Sequence, residues 1–213
     1  MNIPIDDVIH LLHSANHGAL ATLSERATGY PYATVLPFVL DEQHRPVFLI
    51  SLLAEHTKNL LSNPRASLVV SEESQANVLA GARVSLMGDV ALWNAEQRFV
   101  ARYLRYQPDG ERYLALGDFA FFRMTIKHVR AIAGFGEMGW IEPEHWSQIA
   151  TMSLEAEAES IKGMQALFSD NFYMLGIDPY GADCVRAGVR ERHRFENTPL
   201  SDEALKHALR AFG

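Results

Sequence analysis

Cysteine is scarce in this sequence: Cys184 is the single one among 213 residues. No intramolecular disulfide framework and no cluster of several cysteine ligands can be built within one chain, and a reducing, cytoplasmic setting is expected. Long apolar runs are also missing. No stretch approaches the roughly 20 residues that span a bilayer, and Met1 to Asp7 has neither a basic start nor an apolar core, so neither membrane span nor export signal is expected. Basic residues are outnumbered: 19 Lys and Arg stand against 26 Asp and Glu, for a formal net charge of −7. Nucleic acid and anionic membrane are therefore poor partners. No Gly-rich phosphate loop, dinucleotide fingerprint or nucleophile elbow is present, so kinase, Rossmann and triad-hydrolase chemistry have no support. His10, His13 and His17 have spacings of three and four, but the helix carrying them is expected to end before His17, and no carboxylate or cysteine joins the set. They read as surface or dimer-facing histidines, and no metal site is expected.

What is present is enough apolar material, 48% of the chain, for one full core and a small appendage. Ile5, Val8, Ile9 and Leu12 have helical spacing, and Gly18 follows where that helix should stop. Apolar, β-prone segments come next at Gly18 to Leu23, Tyr32 to Leu40, Val47 to Leu52, Ala66 to Val70 and Val84 to Leu92, separated by turn-like clusters. Helices are expected from Ala54 to Ser62, ending at Asn63-Pro64, and from Asn94, where Gln97 completes a capping-box pattern. Strands return at Asp118 to Ile126 and Val129 to Gly134, and Gly134-Phe135-Gly136 closes the β-rich part near Trp140. From Pro143 the pattern changes to a helix through Phe168, strands at Phe172 to Ile177 and Asp183 to Phe195, and a last helix over Ser201 to Phe212. The expected organisation is a β-rich domain over residues 1–142 and a small α-β-β-α lobe over residues 143–213, an α+β chain.

The stretch Ser51-Leu52-Leu53-Ala54-Glu55-His56-Thr57-Lys58-Asn59 runs from a strand straight into a helix. A helix start presents unpaired N–H groups, so Thr57 with His56 or Lys58 forms an anion cradle in outline. Taken alone, the same residues better suit an ordinary helix entry with exposed polar side chains, since such entries are common, and Glu55 opposes an anion.

Read together, Gly18 to Leu23, Tyr30 to Phe38, Ser51 to Leu60, Asn63 to Leu68, Ala82 to Gly88, Gly117 to Phe119 and Gly134 to Gly136 resemble consecutive segments of the pyridoxamine 5′-phosphate oxidase superfamily. The likeness covers about residues 5 to 142 and is nearest to the haem-utilisation branch of HugZ and HutZ type, whose members often add a small C-terminal domain. The resemblance implies a six-stranded split β-barrel, a homodimer and a small-molecule cofactor, FMN or haem, in a cleft shared by both subunits. It implies FMN contacts from Thr34, Leu36, Ser51, His56, Thr57, Lys58 and Asn59, with Arg83 from the opposite subunit. The family's Ser-Arg-Lys phosphate run falls here on Ala54, Glu55 and His56, so two of its three positions have lost that chemistry.

Haem needs an axial imidazole and cations for its propionates. His193 and His128 are the candidates, with Asp118 as a carboxylate that orients a ligand histidine; a turn aspartate beside Phe119 is the plainer role for Asp118. Alternation over Val189 to Phe195 places Glu191, His193 and Phe195 on one face and Arg190, Arg192 and Arg194 on the other, an arrangement that also suits a solvated edge strand. Relatives often carry Asn-x-Asp-His where Ser153-Leu154-Glu155-Ala156 stands, so an activity that depends on that histidine is not expected. Two functions follow: FMN- or haem-dependent redox chemistry linked to haem iron utilisation, or a non-catalytic haem-binding or protein-interaction module of tetrapyrrole metabolism.

Overall fold

The computed structural model describes residues 3–72, 80–134, 137–164 and 172–196. Helix α1 (Ile5–Ser14) opens the chain and buries Val8, Ile9 and Leu12. Strands β1 (His17–Leu23), β2 (Pro31–Pro37), β3 (Val39–Leu40) and β4 (Pro46–Ser51) follow, then α2 (Glu55–Ser62), β5 (Arg65–Ser71) and β6 (Arg83–Leu92). Helices α3 (Gln97–Tyr106) and α4 (Gly110–Ala115) precede β7 (Phe119–Gly134) and β8 (Glu137–Ile141).

These strands form one antiparallel sheet in the order β2-β1-β5-β6-β7-β4-β3, with β8 added on β7. β2 and β3 sit at its opposite ends, yet only Phe38 separates them in the chain. One residue spans a few ångströms, so the sheet must curl until its edges meet. The six long strands β2-β1-β5-β6-β7-β4 thus make the split barrel, and β3 and β8 are short extensions. Its interior is filled by Leu20, Phe48, Ile50, Leu68, Leu86, Phe122 and Met124, while Val8 and Leu12 of α1 pack against the same cluster. Each of these side chains contributes about 1.5–3 kcal/mol by leaving water. β4 is buried on both faces, because Val47 and Leu49 turn outward onto Phe99 and Tyr103 of α3.

Several expected boundaries shift. The single strand expected over Tyr32 to Leu40 breaks at Phe38, whose N–H turns to the Asn16 carbonyl. The strands expected on either side of Lys127 are one, with Met87 paired to His128 and Gly88 to Ile126. Lys127 is the extra residue of a β-bulge, and the bulge brings the Thr125 carbonyl onto the spot a Cβ of residue 88 would fill, so glycine is required there. The capping box expected from Asn94 is not formed; α3 starts after Glu96 without a side-chain cap.

Beyond the barrel, the expected helix from Pro143 is two, α5 (Pro143–Ser147) and α6 (Leu154–Met164). Three strands follow, β9 (Phe172–Asp178), β10 (Gly181–Arg186) and β11 (Val189–Arg194), in the order β11-β10-β9. The strand expected over Asp183 to Phe195 is therefore a hairpin, turning at Ala187 and Gly188, which both have positive φ. Phe135, Gly136 and the helix expected over Ser201 to Phe212 lie outside the described residues.

Candidate functional site

The turn from β4 into α2 is held from within. Ser51 Oγ donates to Asp118 Oδ2 at 2.6 Å and accepts the Leu53 N–H at 3.1 Å, while the Leu52 N–H reaches the Asp118 carbonyl at 2.7 Å. Thr57 Oγ1 donates to the Ser51 carbonyl at 2.7 Å. Asn59 donates to Thr22 Oγ1 at 3.0 Å and accepts the Glu25 N–H at 2.9 Å, tying α2 to β1. Lys58 pairs with Glu55 at 3.1 Å across the exposed first turn. Of the expected phosphate donors, Thr57 and Asn59 are thus committed to the fold, and a carboxylate stands at the helix start. His56 differs, since its buried Nε2 meets no hydrogen-bond partner and burial holds its pKa below the ordinary value. The residues present fit a flavin phosphate poorly.

Thr34 and Leu36 lie half-buried on β2, opposite Leu20 and Gly18. Arg83 opens β6 and donates to the Gly81 carbonyl at 3.2 Å. Asp118 buttresses the β4–α2 turn through Ser51. His128 is exposed on β7. None of Thr34, Leu36, Arg83, Asp118 and His128 lines either of the two clefts that meet at His17.

A different arrangement appears on the outer face of the barrel. Alternation along β1 sends His17, Ala19 and Ala21 outward; Ala19 pairs with Val35 of β2 and Val69 of β5, and Ala21 with Ala33 and Ser67. The small side chains make this surface shallow, and Val35 is 64% exposed. A cleft of about 720 Å³ runs along it, lined by His17, Ala19, Val35 and Val69 and also by Ser71 and Glu72. It shares Asn16 and His17 with a second cleft of about 370 Å³, lined further by Arg105, Tyr106, Tyr173 and Arg190. Among the described residues, no carboxylate lines this second cleft. His17 stands at the junction, where its Nδ1–H donates to Asn16 Oδ1. That bond puts the ring's lone pair on Nε2, the form in which imidazole binds metal.

The second cleft is cationic because of what lies behind it. Glu157 answers two guanidiniums, Arg102 and Arg105, the latter at 3.0 Å. Arg105 also donates to the Leu175 carbonyl at 2.7 Å, and its pKa falls to about 10 through burial and then the neighbouring Arg102. Arg190 lies over the Tyr106 ring at 4.9 Å and donates to the His13 carbonyl at 2.6 Å. A surplus of positive charge therefore faces the opening.

The wall between barrel and lobe is a buried polar network. Arg192 Nη1 lies 2.9 Å from Asp178 and 3.2 Å from Asp183, Tyr106 donates to Asp183 at 2.7 Å, and His13 Nδ1 is 3.3 Å from Asp183. His13 Nε2 is 2.9 Å from His44 Nδ1, and His44 Nε2 donates to the Ala150 carbonyl at 3.0 Å. Burial lowers the His13 pKa to about 4, although both aspartates oppose it. His13 is therefore no surface histidine; β11 is an edge strand with Arg194 exposed, as expected, but Arg192 is only 2% exposed. The expected alternation is otherwise found. His193 faces away from the barrel beside Glu191, with the arginines on the opposite face, so it does not share a pocket with them.

Comparison with known proteins agrees with this architecture. A non-canonical haem oxygenase, HOZ of Arabidopsis thaliana chloroplasts, is 32% identical over 133 residues, which is 62% of this chain but only 40% of that protein. A solved structure of Atu2129 from Agrobacterium tumefaciens, of unknown function, superposes with a TM-score of 0.78 at 21% identity, covering 99% of this chain and 95% of that one. A haem-binding protein from Mycobacterium smegmatis covers 100% and 99%, with a TM-score of 0.62 and 24% identity. Further structural neighbours include the haem storage protein HutZ of Vibrio cholerae and a putative pyridoxamine 5′-phosphate oxidase of Listeria innocua, in keeping with the resemblance seen in the sequence. Residues 9–148, two thirds of the chain and nearly all of the barrel, match the CREG beta-barrel family, and the chain belongs to that split-barrel family.

Proposed function

We propose that this protein binds haem against the outer face of β1, β2 and β5, with His17 as the axial ligand and Arg105 and Arg190 as the propionate partners. The observation that carries the reading is the position of His17, where a shallow surface of Ala19, Val35 and Val69 meets an arginine-lined cleft that, among the described residues, has no carboxylate in its lining; Glu72 borders the first cleft but not the second. A haem ring needs a flat apolar bed, a neutral imidazole and cations for two carboxylates. Ala19, Val35 and Val69 offer the first, His17 the second, and Arg105 with Arg190 the third. Asn16 fixes the ring orientation of His17 through its Nδ1–H. Bound haem would supply the redox-active iron; the protein positions it and keeps water from one face.

A second copy of this chain is the proposed cover for the other face. Leu23, Tyr30, Tyr32 and Val35 are exposed on or beside the barrel edge strand, a surface suited to homodimer contact. In this reading residues 1–142 carry the cofactor and residues 143–213 supply Arg190 and the cleft wall, in a reducing cytoplasmic setting. Relation to HOZ favours oxidative haem turnover over simple carriage. FMN has less support, because the α2 turn spends Thr57 and Asn59 internally and presents Glu55.

Titration with haemin and, separately, with FMN tests the proposal. A Soret shift saturating at one haem per chain, weakened roughly tenfold or more in Arg190→Gln, is expected; loss of one charge-assisted hydrogen bond is worth about 1.5–3 kcal/mol. Haemin affinity unchanged in Arg190→Gln and His17→Ala would reject the assignment. Soret decay under reductant and air separates turnover from carriage, and sedimentation shows whether the protein is a dimer.

A further inference from the structure

The face of the β10–β11 hairpin turned away from the barrel holds the chain's one cysteine beside a carboxylate and an imidazole. Cross-strand register sets Cys184 directly opposite Glu191, while His193, two residues along β11, pairs with Ala182. Side chains two apart on a strand share a face, and directly paired residues point the same way, so all three emerge together. One ligand atom from each, the Cys184 Sγ, a Glu191 oxygen and a His193 ring nitrogen, lie within 4.8 Å of one another. Ligands of a tetrahedral ion, bonded at about 2.0–2.3 Å, stand at about 3.3–3.8 Å from each other, so the cluster closes on an ion with small side-chain movements.

We propose that Cys184, Glu191 and His193 bind a divalent transition-metal ion of the zinc class. Thiolate and imidazole select such an ion over calcium or magnesium, which take oxygen ligands. His193 and Glu191 are partly exposed, and Cys184 is buried beneath them. Burial and then Glu191 push the Cys184 thiol up to about 11, so an incoming cation has to displace the thiol proton before thiolate and carboxylate can share it. Arg186, whose Nε is 3.5 Å from Glu191 and whose guanidinium lies over the Phe172 ring at 5.6 Å, has to yield the carboxylate when it turns to the ion.

The second histidine-carboxylate group of the chain makes the contrast. His13, Asp178 and Asp183 also converge, but the Arg192 guanidinium already lies within 3.2 Å of both carboxylates and occupies the place of a cation. The site was not legible from spacing, since Cys184 and His193 come together only when residues 181–194 fold back as a hairpin.

Cobalt(II) titration of the full-length, haem-free protein tests this. The expected result is one equivalent bound, with thiolate-to-cobalt charge-transfer absorption in the near ultraviolet and tetrahedral bands in the visible, displaced by zinc. Cys184→Ser should remove the charge-transfer absorption, and His193→Ala should weaken binding by roughly tenfold or more. Circular dichroism of both variants confirms that they are folded, and His13→Gln, in the other cluster, should leave the cobalt spectrum intact. Absence of stoichiometric cobalt binding, or binding without sulfur charge transfer, overturns the proposal. None of the three ligands lines the proposed haem cleft, so failure here leaves the haem reading standing and the reverse holds too.

Discussion

Acid should weaken this protein well above the range in which its carboxylates titrate, and the buried histidine pair is the reason. His13 is fully enclosed, between Asp183 and His44, and burial lowers its pKa from 6.5 to about 4; His44 is lowered by the same cause. A base whose folded pKa lies below its unfolded value binds more protons when unfolded, so stability rises with pH between those values and is lost as pH falls through them. For His13 the gap of about 2.5 units corresponds to about 3 kcal/mol at 1.36 kcal/mol per unit, lost progressively from about pH 6.5 to about pH 4. Asp178, held near 2 by His13 and Arg192 against its own desolvation, and Asp183, held lower still, withdraw their contribution only below about pH 4. Urea unfolding at about pH 7, 5.5 and 4 measures the slope, and His13→Gln should flatten it over this window. Stability that stays level or increases as pH falls would refute the reasoning. It would place a proton on His13 Nδ1 in the folded protein, donated to Asp183 as an ion pair.

Three further outcomes follow from the packing. Glu157→Ala leaves the buried Arg102 guanidinium without its carboxylate and should cost about 3–5 kcal/mol in chemical denaturation, whereas breaking the exposed Arg98–Glu155 pair between the same two helices should matter little. Gly88→Ala drives a methyl onto the Thr125 carbonyl at the β7 bulge and should destabilise by about 1–3 kcal/mol or more, measured by thermal unfolding. Asn59→Ala removes the tie from α2 to Thr22 and the Glu25 N–H, leaving a buried donor and acceptor short of partners, for a loss of about 1–3 kcal/mol without change in haemin affinity.

The barrel was legible because its strands announce themselves locally. Alternation in His17–Leu23 and Arg83–Leu92, the Asn63-Pro64 stop after α2 and the family-like order of segments each act within a few residues. The hairpin at Ala187-Gly188 was not, because alanine seldom adopts positive φ and gives no turn signal. The interlobe network was hidden for another reason: His13 and Asp183 are 170 residues apart, and Arg102 and Glu157 are 55 apart, so no local pattern records either contact. His17 was seen as a histidine but not as a junction, since its value depends on Arg105 and Arg190 arriving from α3 and β11. The α2 turn read as an anion cradle for the opposite reason: hydroxyl and amide side chains at a helix start look alike in sequence whether they bind a ligand or, as Thr57 and Asn59 do here, the backbone and β1.

A crystal structure of the protein soaked with haemin bears most directly on the central claim. Iron bonded to His17 Nε2, with propionates reaching Arg105 and Arg190, is the predicted result. Iron on His193 or His128, or a ring lodged at the α2 turn beside His56, would contradict it.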